Sequence, residues 1–448
     1  MKVGIGKKMK IALMAILFPF LANAQSEQPI ELTLDKAIEI ALSDNPTIKI
    51  ADLEIQRVDY SKKSAWYNIL PSLDASGQYA KFLAPASTSF AGMVFELPTD
   101  FNVTTGLSLS LPLFAPALWH SIKMTTLDMQ LAAEKAHASK ITLRNSVTKA
   151  YYGVLLAQDF HETLQGNFAL AEEIYIQAKK RFEVGLGSEF DVITAEVQMK
   201  NLLPTITEIE NGIEQTKMLL KILMSLEITQ EVRVTGNLID YEIGINDANS
   251  FDLSLTANTD LRQLDIQQQQ LDRALAIQRT QRMPTLAAFG SYGYAGTGNK
   301  AGEHPLTGQY SPANSAWYSQ GLLAGLQLNI PLTGIFTNTV KEKQTKIQIT
   351  QLTMQRDYIE ESLNLQARTA LDNMNTSAQQ AEFAKSNEEL AQKGYDIAVK
   401  RYDTGVGIML EVQNATQVLM QAQLARNQAI ANYLNAKADL EKTLGVAP

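Results

Sequence analysis

One strand-length phrase occurs twice in this chain, about half its length apart, and the repetition limits the possible folds more than any other feature. Leu107-Ser108-Leu109-Ser110-Leu111-Pro112-Leu113 returns as Leu326-Gln327-Leu328-Asn329-Ile330-Pro331-Leu332. Each copy alternates large apolar with small or polar side chains, so a strand built from it has one greasy and one wet face. A greasy face against lipid and a wet face toward a lumen is the pattern of a transmembrane β-barrel. The duplication runs further. Asn45 returns as Asn258 and Pro71 as Pro284 at the same displacement, and Pro112/Pro331 and Arg181/Arg401 continue the series at a slightly longer one. The extra residues lie between the two prolines of each half, where a variable loop would join paired strands.

Each half therefore reads helix, strand, loop, strand, very long helix, turn, helix. The spacing predicts short helices from Thr33 and Pro46, then strands over 72–82 and 103–113 in the first half. Strands over 284–296 and 320–332 follow in the second. Residues 84–102, rich in Pro, Ser, Thr and Gly, read as an exposed loop. Aromatics gather at strand and loop boundaries (Tyr79, Phe101, Phe114, Trp119, Tyr292, Tyr294, Trp317 and Tyr318 among them), as in an interfacial girdle. Residues 117–183 contain no proline, and Phe160, Leu164, Phe168, Ala171, Tyr175, Ala178 and Phe182 keep helical spacing. At 1.5 Å per residue this gives a rod of about 100 Å, matched by 337–403. Each rod ends in a glycine turn, Val184-Gly185-Leu186-Gly187 or Thr404-Gly405-Val406-Gly407. A returning helix follows each turn, and with the entering helix before the first strand it makes up a second rod.

The expected domains are a cleaved signal peptide over 1–24, a first repeat over 25–227, a collar linker over 228–252 and a second repeat over 253–448. Lys2, Lys7, Lys8 and Lys10, an apolar stretch over 11–21 and Ala22-Asn23-Ala24 form an export signal too short to span a bilayer. The chain has no cysteine, which excludes disulfides, thiolate metal sites and a cysteine-linked lipid. His120, His137, His161 and His304 lack metal-ligand spacing, so no metal or cofactor is expected. A net charge of −8 argues against a nucleic-acid partner. The glycine-rich stretch 290–298 lacks the Gly-Lys-Ser/Thr of a phosphate loop, and no catalytic constellation stands out.

Four strands cannot close a barrel, and an open edge in lipid leaves backbone groups unpaired. Two copies would supply eight strands, which enclose little more than side chains, and three would supply twelve. The wet-face residues Ser108, Ser110, Gln327 and Asn329 favour a water-filled interior and therefore three copies. The expected fold is thus a membrane α+β architecture: a homotrimeric twelve-stranded outer-membrane β-barrel, four strands per chain, continuous with a long α-helical periplasmic barrel. A periplasmic adaptor or structural coiled-coil protein is the alternative. It would carry one hairpin and soluble β-domains rather than two hairpins and four lipid-length strands.

The chain resembles the TolC-type outer-membrane efflux channels across its expected mature length. The resemblance rests on Asn45-Pro46, the strands PSLDASGQY and MPTLAAFGSYGY, both Leu-x-Leu-x-x-Pro phrases, and the tips RFEVGLGSEFDVITAEVQ and RYDTGVGIMLEVQNATQ. It implies an outer-membrane exit duct of a tripartite efflux or type I secretion system, reaching into the periplasm. The implied partners are two further copies, outer-membrane lipid, a periplasmic adaptor and an inner-membrane pump of the resistance-nodulation-division, ABC or similar class. It further implies a pore constriction at Glu411 and Asn414, where the family usually has two aspartates. A gate latch is implied at Asp191 and Tyr402, with the family's latch arginine replaced by Gly407. Adaptor-contacting tips are implied at Gly185, Leu186, Gly187, Gly405, Val406 and Gly407.

Overall fold

The computed structural model describes residues 30–84, 86–90, 92–97, 99–242, 252–299, 301–303 and 310–446. The expected signal peptide lies outside these residues, as does 243–251 of the expected collar linker. The chain opens with β1 (Ile30–Leu32) and α1 (Leu34–Asp44), then α2 (Pro46–Tyr67) and β2 (Ser72–Lys81). A hairpin of β3 (Ala86–Phe90) and β4 (Met93–Leu97) leads to β5 (Thr99–Phe114). The first long hairpin is α3 (Pro116–Glu183) and α4 (Glu189–Met224), followed by β6 (Val232–Val234). The second half runs α5 (Thr259–Thr280), β7 (Thr285–Asn299), β8 (Gly302–Glu303), β9 (Tyr310–Ser311) and β10 (Asn314–Asn329). It ends with the second long hairpin, α6 (Gly334–Asp403) and α7 (Met409–Leu444).

The four long strands form one antiparallel sheet in the order β10-β7-β5-β2. The helices keep that order: α2 and α4 lie beside α3, α3 beside α5 and α7, and α5 and α7 beside α6. Strands and rods are therefore laid out as one ribbon, with β2 above α2 at one edge and β10 above α6 at the other. The second rod of each half is made end to end from two helices, and one residue type joins them. Asn45 caps α2 by accepting from Thr47 N at 2.8 Å, while its Nδ2 donates to Leu223 O at the end of α4, also at 2.8 Å. Its repeat mate Asn258 accepts from Asp260 N at 2.9 Å, and its Nδ2 donates to Thr443 O at the end of α7 at 2.8 Å. Both asparagines are buried, so each satisfies a helix start and a helix end that water does not reach.

Several expectations need correction. Three strands extend further at their upper ends than expected: β5 begins at Thr99 rather than 103, β7 runs to Asn299 rather than 296, and β10 begins at Asn314 rather than 320. At the lower ends, β10 stops at Asn329, so Ile330-Pro331-Leu332 lies outside the strand whereas Pro112 lies inside β5. Proline cannot donate to a ladder, and β5 accommodates it at a register shift between Pro112 and Phe114. The expected loop 84–102 contains the β3–β4 hairpin, turning at Gly92 with φ of 80°. The collar segment is also partly ordered as sheet, because β6 pairs in parallel with β1. In α3 the buried seam is Leu164, Asn167, Ala171, Ile174 and Ala178, with Phe182 exposed rather than inside.

The main core sits at this collar, where Tyr151, Leu155, Leu220, Met224, Leu238, Ile430 and Leu440 are fully enclosed. The linker is strapped across it. Tyr151 Oη donates to Thr235 O at 2.5 Å, and Leu238 N donates to Asp159 Oδ2 at 3.0 Å. Arg426 reaches both Glu242 at 2.6 Å and Glu388 at 2.8 Å, tying the linker to the second hairpin. Burial raises the Asp159 carboxyl to about 6, against the lowering effect of the Leu238 hydrogen bond.

Candidate channel gate at the helical tips

Both hairpins turn in the same way, and the chemistry of the turn explains the glycines. The amide of Leu186 donates to Arg181 O at 2.8 Å and that of Gly185 to Phe182 O at 2.9 Å; Val406 and Gly405 repeat this to Arg401 O and Tyr402 O, each at 3.0 Å. This paired closure needs a left-handed residue after the cap, and Gly185 and Gly405 supply it with φ of 75° and 77°. Gly187 and Gly407 serve a different purpose. A Cβ at Gly407 would lie 2.9 Å from Arg401 Cβ and 3.1 Å from both Arg401 C and Glu411 Oε2, because the turn folds back onto the last turn of α6 and leaves no room for a side chain. Leu186 and Val406 project from the turns about three-quarters exposed.

The returning helices start differently. Ser188 caps α4 by accepting from Phe190 N at 3.1 Å, while Ile408 offers α7 no side-chain cap. Asp191 and Glu411 both occupy first turns, where a carboxylate complements the helix dipole. Glu411 is also 3.6 Å from Arg401 Nε across its own turn. Asn414, one turn further on, lines an open groove of about 970 Å³ between α6 and α7, together with Phe383, Leu390, Ala415 and Val418. The two constriction candidates thus follow one another along α7, with one ion-paired and the other on a groove wall.

The latch candidates come together with a residue that sequence reasoning left unassigned. Tyr402 is buried in a small core between the hairpin ends, with Ile174, Ala178, Ala195, Met409 and Val412. Arg181, from the other hairpin, donates through Nη1 to Tyr402 O at 2.5 Å and places its guanidinium 4.6 Å over the Tyr402 ring. The carbonyl it reaches belongs to the last turn of α6, where a cation is favoured by the dipole. Burial raises the Tyr402 phenol above its ordinary value, Arg181 opposes the shift, and the charges of Asp191 and Asp403 add to it. Asp191 therefore acts on Tyr402 through its field, and Arg181 acts by direct contact. The one available signal for Arg181 was its repeat pairing with Arg401. Those mates have diverged: one staples the two hairpins together, the other closes its own turn.

A sheet of four long strands set over four rods is the fold of an outer-membrane channel chain. The model of the outer membrane efflux protein family matches residues 37–217 and 251–446. The outer membrane protein TolC of Vibrio cholerae is 23% identical over 77% of this chain and 76% of that protein. The alkaline protease secretion protein AprF of Pseudomonas aeruginosa is 23% identical over 97% of this chain and 89% of its own length. Among solved structures, the Campylobacter jejuni CmeC outer membrane channel aligns with a TM-score of 0.68 and 19% identity, covering 92% of this chain and 85% of that one. The chain belongs to the outer membrane efflux protein family.

Proposed function

We propose that the protein is the outer-membrane exit duct of a tripartite efflux or type I secretion system, passively conducting cargo delivered by a periplasmic adaptor and an inner-membrane pump. The observation that carries this is the shared order of strands and rods, with both edges of the ribbon open on the same sides. Strand β10 and rod α6 form one edge, β2 and the α2–α4 rod the other. An up-running β2 beside a neighbour's down-running β10 continues the antiparallel ladder, so three copies arranged head to tail close a twelve-stranded barrel.

The rods support the same closure. Helix α6 presents Val340, Ile347, Met354, Leu365, Phe383, Leu390 and Ile397 to solvent at near-heptad spacing. The opposite edge presents Ile50, Leu53 and Tyr60 from α2, and Phe190, Ile193 and Val197 from α4. These two apolar stripes are each other's partners between copies. At the far end the tips form the closed gate: Glu411 and Asn414 line the constriction, Asp191 and Tyr402 hold it, and Arg181 takes over the latch function at which Gly407 offers no side chain. The exposed turns around Leu186 and Val406 meet the adaptor.

The test is reconstitution of the full protein purified from membranes. Trimers in the outer-membrane fraction and stepwise ion conductance in planar bilayers are expected. A mature chain that stays monomeric and water-soluble, released from membranes by carbonate, would overturn the proposal in favour of a periplasmic coiled-coil protein.

A further inference from the structure

The helix ends that meet the sheet are unlike the rest of the molecule in charge. Take the ten residues of α2, α3, α5 and α6 nearest the strands, with their short connectors. They hold Lys62 and Lys63, Lys123, Arg273, Arg279 and Arg282, and Lys341 and Lys343, against the carboxylates Asp59, Asp272 and Glu342. Eight cations against three acids leaves an excess of five positive charges, in a chain whose net charge is −8. The segments joining the strands at the opposite end of the sheet, 82–98 and 300–313, hold one lysine and two glutamates, so the excess belongs to one end only.

Internal pairing does not use it up. Glu342 already receives Arg282 at 2.5 Å, Lys346 at 3.2 Å and Arg279 at 3.3 Å, three cations on one carboxylate. Lys63 pairs with Asp59 at 2.7 Å. Lys62, Lys123, Lys341 and Lys343 have no carboxylate within ion-pair distance among the described residues, and the last three are exposed. At this same level the surface is aromatic. Trp66 and Trp119 meet edge to face at 6.4 Å, both about half exposed, and Tyr67 and Phe336 stand clear of the helices beside them. Amphipathic rings of this kind sit at a headgroup boundary. Lysines one to two turns further from the sheet then lie about 5–10 Å beyond it, within the headgroup layer.

We infer that this ring is a recognition surface for anionic phospholipid headgroups in the leaflet facing the helices. The inference rests on the reading that the sheet lies in the outer membrane. Like charges crowded at one level repel unless a counter-charge is present, and a fixed layer of phosphodiesters supplies one while the aromatic rings hold the acyl boundary above it.

The chain has three tryptophans, and a Trp317→Phe background leaves only the two at the ring. The full protein in that background is reconstituted with brominated phosphatidylglycerol or brominated phosphatidylcholine, and quenching of Trp66 and Trp119 gives the relative association of each lipid. A roughly three- to tenfold preference for phosphatidylglycerol is expected, reduced by 0.5 M sodium chloride. In the combined Lys62→Gln, Lys123→Gln, Lys341→Gln and Lys343→Gln variant the preference falls toward one, with circular dichroism and oligomeric state unchanged. Equal quenching by both lipids in the Trp317→Phe protein overturns the inference, whether or not the lysine variant folds. Preference for phosphatidylglycerol that persists undiminished in the folded lysine variant also overturns it, by assigning the preference to groups outside the ring. Quenching by neither lipid removes the outer-membrane reading itself.

Discussion

In the first half of the chain the long helix α3 is enclosed, with α2 and α4 along one side and α5 and α7 along the other. Its repeat mate α6 has neighbours on one side only. The difference is written in the seam. Where α3 buries Leu164, Asn167, Ala171, Ile174 and Ala178, the matching positions of α6 are Ala384, Asn387, Ala391, Gly394 and Ala398. The seam of α6 is smaller at two places, Ala384 for Leu164 and Gly394 for Ile174, and one position before Ala384 and Ala398 it carries Phe383 and Ile397 where α3 has Thr163 and Gln177. One position is about 100° around a helix. A duplicated element has thus become an interior rod in one half and an edge rod in the other, with no change in length plan or turn. The two halves of the chain therefore differ in which rod has an uncovered side.

This contrast can be broken most directly in the cores. Leu155→Ala, in the enclosed helix, should cost about 2–5 kcal/mol of stability. Leu390→Ala, on the open face, should leave the folding of the isolated chain nearly unchanged, which denaturant unfolding of monomers in detergent would check. Leu390→Glu should instead shift the trimer to monomer, read by light scattering; an intact trimer would mean that the α6 stripe faces elsewhere.

A smaller effect is expected at the tips. Arg181→Ala removes a cross-hairpin contact of about 0.5–2 kcal/mol and should raise bilayer conductance, while Arg401→Ala removes an exposed pair worth about 0–1 kcal/mol and should change it much less. Equal effects would erase the distinction between the two arginines.

The collar strap should be sensitive to pH. The folded carboxyl of Asp159 lies at about 6, above its ordinary value of 3.8. Its contribution to stability is therefore fully present below about pH 4 and is lost as pH rises through 6. Asp159→Asn should flatten that slope in thermal melts between pH 4 and 7. The smallest change is expected from Glu411→Gln, which should lower cation preference by a few millivolts of reversal potential if the side chain faces the pore.

Much of this organisation was legible in the sequence, for reasons that differ by element. The rods were readable because helical spacing persists over many turns and because each closure demands a glycine, at Gly185 and Gly405. The capping asparagines gave away the repeat, since Asn45 and Asn258 each do two jobs that no other side chain does as well. The upper half of β10 was hidden because Asn314-Ser315-Ala316-Trp317 does not alternate greasy and wet. The β1–β6 pair was hidden for another reason: three-residue strands carry no period, and their partner lies about 200 residues away. At the gate, the candidates Asp191 and Tyr402 were named from resemblance, but Arg181 was not. Its role depends on two hairpin ends lying side by side, which no spacing within one helix encodes.

The length of α6 has a mechanical consequence. Its buried contacts at the collar include Met374, and its last residue is Asp403. The stretch between them is a stiff arm of about 45 Å. Swinging such an arm by about 5° around the collar carries its end through about 4 Å, more than the 2.5 Å that separates Arg181 from the Tyr402 carbonyl. A displacement of that size would break the Arg181 contact and pull Tyr402 against the apolar cluster of Ile174, Ala178, Ala195, Met409 and Val412 that encloses it. The length of the arm turns a small angle at the collar into a displacement at the tip that a single hydrogen bond cannot follow.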